Sequence, residues 1–186
     1  MRTRLARMAA MLIAAGAFAC AGTSVASAAP CAHASDVPTA DSAGTARRAT
    51  LCLLNRVRHA HHLKRLRTNR SLQGVSQKYS QSMVVHDFFD HVSAVTGLGL
   101  VQRIQQTPYL TGVGNWVLGE NLAWGSGDLA TPAKIMDAWM HSAGHRHNIL
   151  TGRFREIGIG IAIGAPVPLT GNPPAATYTT DFGQHG

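Results

Sequence analysis

The segment from residue 157 to 163 constrains the fold more than any other. Ile157, Ile159, Ile161 and Ile163 alternate with Gly158, Gly160 and Ala162. A period of two marks a strand with its branched side chains on one face. The other face is almost bare backbone, as expected where another element packs closely against it. Residues 166–174 read as a loop. Residues 177–182 read as a second strand, the antiparallel partner in a hairpin. A third strand is expected between residues 113 and 122.

Before these strands the apolar residues recur every three or four positions, as in helices. A helix is expected over residues 46–62, with Leu51, Leu54, Val57 and His61 on its apolar face. Arg48, Asn55, Arg58, His59 and His62 fall on the opposite, solvated face. A second helix over residues 71–86 is capped by Ser71 and carries the stripe Leu72, Val75, Tyr79, Met83 and His86. A short helix over residues 98–106 stops before Pro108. Thr131-Pro132 opens another, with Ile135 and Trp139 on its buried face and its end near Gly144. Helices with a small antiparallel sheet in one layered domain define the α+β class.

Residues 1–28 read as a secretory signal peptide. Arg2, Arg4 and Arg7 precede an apolar run over residues 8–19, and Ala26-Ser27-Ala28 provides small residues for cleavage. Residues 29–45 read as an N-terminal tail and residues 46–186 as the domain. The chain of 186 residues carries a formal charge of +8, and losing three leader arginines leaves +5. Cys20 leaves with the leader. The remaining pair, Cys31 and Cys52, reads as one disulfide in an exported chain. Closing a loop of about 20 residues stabilises by ~3 kcal/mol in the chain-entropy account.

Basic residues cluster between Arg47 and Arg70. Export, and the lack of aromatic interleaving, argue against nucleic acid. Anionic wall polymers or lipid headgroups are the better partners for such a face, unless it is simply solvated. A monomer is expected.

Three segments place chemistry-bearing residues at the ends of elements, where sites usually form. They are Phe88-Phe89-Asp90-His91, then Gly119-Glu120-Asn121-Leu122-Ala123-Trp124-Gly125, then Trp139-Met140-His141-Ser142-Ala143-Gly144-His145-Arg146-His147-Asn148-Ile149-Leu150. Together with the Ile/Gly strand, they resemble the CAP superfamily, the cysteine-rich secretory, antigen 5 and pathogenesis-related group. The resemblance covers roughly residues 46–183 and is closest to the bacterial secreted branch. It implies an α-β-α sandwich with a small central antiparallel sheet and a cleft. In that family two histidines and two acids often line the cleft and hold a divalent metal. By motif these are His91, His145 and Glu120, while Ser142 stands where the second acid would be.

The residues themselves leave several chemistries open. Two imidazoles and one carboxylate form a zinc set with an open water position. Glu120 is alternatively a base or the residue that orients a histidine. A third arrangement is a buried polar network, in which Glu120 and Asn121 bond backbone amides and both histidines donate. Ser142, His145 and Glu120 fit a nucleophile, base and orienter, but Ser142 lacks the nucleophile-elbow context and suits a helix-end cap. His141 and His145 have zinc-protease spacing without the glutamate. His61 reads as partly buried, and Asn148 as fixing the turn after the helix. The expected function is a secreted protein whose cleft, lined by His91, Glu120, Ser142 and His145, binds a small molecule, a lipid or a divalent cation such as zinc. The alternatives are an extracellular hydrolase using Glu120 and His145 or a metal-bound water, and a basic surface-interaction module.

Overall fold

The glycine face of the Ile/Gly strand carries a helix backbone directly. The computed structural model describes residues 30–186, so the signal-peptide reading of residues 1–28 lies outside it. In chain order the described elements are α1 (Ala43–Ala60), β1 (Arg67–Thr68), α2 (Arg70–Val85), α3 (Leu100–Gln105) and β2 (Trp116–Ser126). They continue with α4 (Pro132–His141), α5 (Ala143–Leu150), β3 (Glu156–Ile163) and β4 (Ala175–His185). Short 3₁₀ turns at Pro108–Leu110 and Gly127–Ala130 flank β2. The strand order is β1-β3-β4-β2. The expected β3–β4 hairpin is present, and β2 pairs antiparallel with β4. The sheet is mixed, however, because β1 joins β3 in parallel at Arg67↔Glu156 and Thr68↔Ile157. Two residues are too few to show a period, which is why spacing did not reveal β1.

A Cβ on Gly158 would lie 2.2 Å from the Leu72 backbone, and one on Gly160 would lie 2.0 Å from the Ser76 carbonyl. Only glycine lets α2 sit this close. The same helix completes the edge of β3 beyond β1. Gln73 Nε2 donates to the Ile159 carbonyl at 2.6 Å, and Ile159 N–H donates to Gln73 Oε1 at 3.2 Å. Gln77 repeats the exchange with Ile161 at 3.0 and 3.1 Å. Two amides one helical turn apart thus satisfy the backbone groups that a neighbouring strand would otherwise bind.

The isoleucine face meets the other helical layer. Ile157, Ile159 and Ile161 are buried with Leu54 of α1, Trp139 of α4, Ile149 of α5 and Tyr178 and Phe182 of β4. The sheet lies between α2 on one side and α1, α4 and α5 on the other, giving the expected α-β-α sandwich.

Several local expectations change. In α1, Leu54 is buried and Leu51 and Val57 are half-buried, but His61 is exposed. Asn55 and Arg58 are buried, not solvated. Asn55 exchanges hydrogen bonds with the Leu66 backbone, through Nδ2 at 3.1 Å and Oδ1 at 2.7 Å. The α2 stripe holds at Leu72, Val75, Tyr79 and Met83, whereas His86 is exposed. Asn69, not Ser71, caps α2 by accepting from the Ser71 and Leu72 N–H groups. Thr131 and Pro132 open α4 as expected. The helix ends at His141, and a second helix follows at once, so Asn148 lies inside α5 and not in a turn. Ser142 joins the two helices, but its hydroxyl makes no capping hydrogen bond.

Cys31 and Cys52 form the expected disulfide, with Cα atoms 5.8 Å apart. The stretch after Cys31 is packed onto the domain. Ala133 N–H donates to the Ala34 carbonyl at 2.8 Å, and Val37 packs on the core.

Candidate functional site

The site forms at the edge of the sheet, where β2 presents Glu120. Its side chain is buried, and each carboxylate oxygen has one partner. His91 Nδ1 donates to Oε1 at 2.8 Å, and Arg103 Nη2 donates to Oε2. The loop carrying His91 is fixed from beneath. Tyr79 donates its hydroxyl to the Asp90 carbonyl at 2.6 Å. Arg103 Nη1 donates to the carbonyls of His91 at 2.9 Å and Leu98 at 3.0 Å. The Arg103 guanidinium also lies over the Tyr79 ring, 3.4 Å from its centroid. One buried arginine therefore positions both the histidine loop and the carboxylate, through charge-assisted bonds and a cation–π contact.

The second histidine enters from the other helical layer. His145 is half-buried in α5, and its carbonyl accepts from Asn121 Nδ2 at 3.1 Å. Asn148 Nδ2 donates to the Glu120 carbonyl at 3.0 Å and to Asn121 Oδ1 at 2.9 Å. Trp139 Nε1 donates to the Leu122 carbonyl at 3.0 Å. The expected polar network is thus present in a different form. The two asparagines and the tryptophan join the strand to the helices, and of the two histidine rings only His91 bonds Glu120.

The imidazoles are shifted in opposite directions. The hydrogen bond to Glu120 raises the His91 pKa above the ordinary histidine value, against the effect of burial. Burial lowers that of His145, and the nearby His91 charge adds to the effect. Environments that push two titratable groups apart suit them to opposite proton roles.

Two members of this site were not anticipated from sequence, Arg103 and Asp181. Asp181 is the β4 register partner of Glu120 and is fully buried. Ser76 Oγ donates to its Oδ2 at 2.8 Å, while Oδ1 has no partner among the described residues. Burial first, and then the Glu120 charge, push its pKa well above the usual carboxylate value. The alternation within residues 177–182 was a usable signal, since it puts Asp181 and Thr179 on the face opposite Tyr178 and Phe182.

The proposed metal set does not fit. Both Glu120 oxygens are engaged, one by a guanidinium that already supplies positive charge. Among the described residues no three histidine, cysteine or acidic side chains are grouped to hold a metal ion. Ser142 supplies no carboxylate, and Asp181, beside Glu120, is fully buried. The exposed loop residues Phe89, Val92 and Val95 instead give the rim beside His91 an apolar character. A cavity of about 470 Å³ opens next to the site, with Tyr79, Ser93, Leu98 and Arg103 in its wall.

A helical layer on each face of a small mixed sheet is the architecture of a CAP-type domain. The family model described as the cysteine-rich secretory protein family matches residues 51–167, and the chain belongs to that family. The uncharacterized protein YkwD of Bacillus subtilis is 34% identical over 110 residues, which is 58% of this chain and 39% of that protein. The uncharacterized membrane protein YlbC of the same organism is 29% identical over 117 residues, 63% of this chain and 32% of that protein. The chain thus spans well under half the length of these curated relatives. An extracellular SCP-domain protein from Bacillus anthracis superposes with a TM-score of 0.59 at 25% identity, covering 78% of this chain and 43% of that one. An outer surface protein from Borrelia burgdorferi shares the fold, with a TM-score of 0.59 at 18% identity over 76% of this chain and 93% of that one. No helix among the described residues is long and apolar enough to cross a membrane.

Proposed function

We propose that this CAP-domain protein is exported and uses its cleft to bind a small amphiphilic molecule at the cell envelope or outside the cell. The observation that carries this reading is the engagement of Glu120. With both oxygens held by Arg103 and His91 Nδ1, the carboxylate orients the His91 ring and is not an open ligand. The His91 side chain is 58% exposed, and its Nε2 has no partner among the described residues. That nitrogen and His145 are the groups offered to a polar head. The apolar residues Phe89, Val92 and Val95 offer a surface for the remainder. The disulfide, the leader-like N-terminus and the extracellular and outer-surface relatives support export.

Titration with laurate, followed by the imidazole NMR signals, tests the reading. Both His91 and His145 signals should move saturably and together. A His91→Ala, His145→Ala double variant should bind at least about tenfold more weakly, since a charge-assisted hydrogen bond contributes ~1.5–3 kcal/mol. Unmoved imidazoles, or equal binding by the double variant, would sink the proposal. Zinc titration by calorimetry is expected to give no binding heat. Stoichiometric binding lost in the double variant would restore the cation reading.

The opposite shifts of the two imidazoles favour one further reading, a hydrolase with His145 as base and His91 as acid. Glu120 then positions His91 and does not itself take a proton from substrate. Activity on peptidoglycan or peptide libraries, abolished by His145→Ala in a folded protein, would support it. Unchanged activity in that variant would reject it.

A further inference from the structure

Arg58 is fully buried near the end of α1, and every hydrogen bond it makes goes to a backbone carbonyl. Its Nε donates to Lys64 at 2.9 Å, Nη1 to Ile149 at 2.7 Å and Thr151 at 3.0 Å, and Nη2 to Phe154 at 3.1 Å. This side chain ties the segment after α1 to the segment after α5. Arg67 N–H then donates to the Arg155 carbonyl at 2.9 Å, starting the β1–β3 pairing. Two basic stretches almost ninety residues apart in sequence thereby meet. Lys64, Arg65, Arg67 and Arg155 line one groove of about 860 Å³.

None of these four cations is in an ion pair among the described residues. Glu156, the one acid in the groove wall, is already occupied. It accepts from Asn69 Nδ2 at 3.0 Å and the Tyr109 hydroxyl at 2.7 Å, and His185 Nε2 lies 3.6 Å away. Those donors are neutral, so Glu156 offsets one positive charge and leaves the wall an excess of three cations, which a pinned backbone prevents from separating. Such a concave concentration of one sign focuses the field and attracts a polyanion.

We propose that this groove binds a segment of an extracytoplasmic anionic polymer, a chain of polyol units joined by phosphodiesters. Three of the four cations are arginines, whose planar forks match phosphate oxygens. The shape favours a chain over a bilayer plane. None of the large exposed apolar residues is among the groove's lining, although Trp116 is the register partner of His185 at its end. The disulfide assigns the protein to an oxidising compartment, away from cytoplasmic nucleic acid. The groove differs from a basic first-helix face. Arg58 is withdrawn from the surface, and Arg155 joins from the far end of the chain.

The test is calorimetric binding of poly(glycerol phosphate) to the protein between about 50 and about 200 mM NaCl. Affinity should fall steeply with salt. An Arg65→Glu, Arg67→Glu variant, with both side chains exposed in the groove, should bind at least about tenfold more weakly and show a shallower salt slope. The pair Arg48→Glu, Arg56→Glu, on exposed parts of α1 outside the groove, makes the same change in net charge and should leave the affinity within about twofold, where only screened long-range attraction acts. Equal losses in the two variants would reduce the effect to net charge and overturn the proposal. Undetectable polymer binding at low salt would overturn it too, as would tighter binding to phosphatidylglycerol vesicles or to single-stranded DNA of equal charge.

Discussion

Two buried arginines hold two regions of this molecule, and they do so differently. Arg58, beneath the basic groove, bonds only neutral carbonyls. Arg103, beneath the His91 loop, bonds carbonyls and the Glu120 carboxylate and stacks on Tyr79. Arg58 therefore sets chain path and leaves local titration alone. Arg103 sets both chain path and the electrostatics of the site. A guanidinium has five donors in a fixed plane, so a single residue suffices to anchor several segments in either setting.

Removing each post separates these roles. Arg58→Met should have the largest effect, about 4 kcal/mol of lost stability in urea, because several buried carbonyls lose their donor. The His91 titration should stay where it is. Arg103→Met should lose about 3 kcal/mol, since Glu120 keeps its bond to His91 but not its buried cation. Here the His91 pKa should rise further in an NMR titration, because the Arg103 charge now opposes its protonation. A shifted His91 in the Arg58 variant, or a fixed one in the Arg103 variant, would erase the distinction.

Asp181 tests the electrostatics beside Arg103 without removing a post. Its folded pKa is raised, so the folded state holds the proton more tightly than the unfolded one. Stability then falls as pH rises from the ordinary aspartate range towards the folded value. Asp181→Asn keeps a neutral group of the same shape. It should be neutral or stabilising near pH 7, with a gain over the parent that widens by at most about 1.4 kcal/mol per pH unit in that window. A parent protein that grows steadily more stable across the same range would contradict the assignment.

The smallest effect is expected at the exposed end of the network. His91 has a raised folded pKa, so its bond to Glu120 stabilises below the ordinary histidine range. That contribution is lost as pH rises through the raised value. His91→Ala should therefore cost less than about 1 kcal/mol, and only on the acid side, because solvent screens the exposed ring. The His145 signal should titrate higher in this variant, since the His91 charge that depresses it is gone.

Residue order alone gave access to those features that depend on near neighbours. The alternation of Ile157, Ile159 and Ile161 with Gly158 and Gly160 is a local pattern, and it demanded a close-packed partner on the bare face. Cys31 with Cys52, and Thr131 with Pro132, were legible for similar reasons, through cysteine parity and first-turn geometry. The motifs singled out His91, Glu120 and His145, of which His91 and Glu120 are joined by a hydrogen bond. Arg58 was misassigned because a helical period places it beside Arg48, His59 and His62. Nothing in that period indicates that the carbonyls of Ile149, Thr151 and Phe154 end there.

What the sequence by itself determined is the layer pattern and the disulfide, because each follows from local spacing or composition. What only the tertiary structure decided is how the charges are used. Arg58 became a buried post, Arg103 took the second oxygen of Glu120, and Asp181 came to lie beside that carboxylate. It also brought Arg155 alongside Lys64, Arg65 and Arg67. The physical reason is the same throughout: the partner of a buried charge is chosen by proximity in space, and strand register and helix packing set that proximity between residues far apart in the chain.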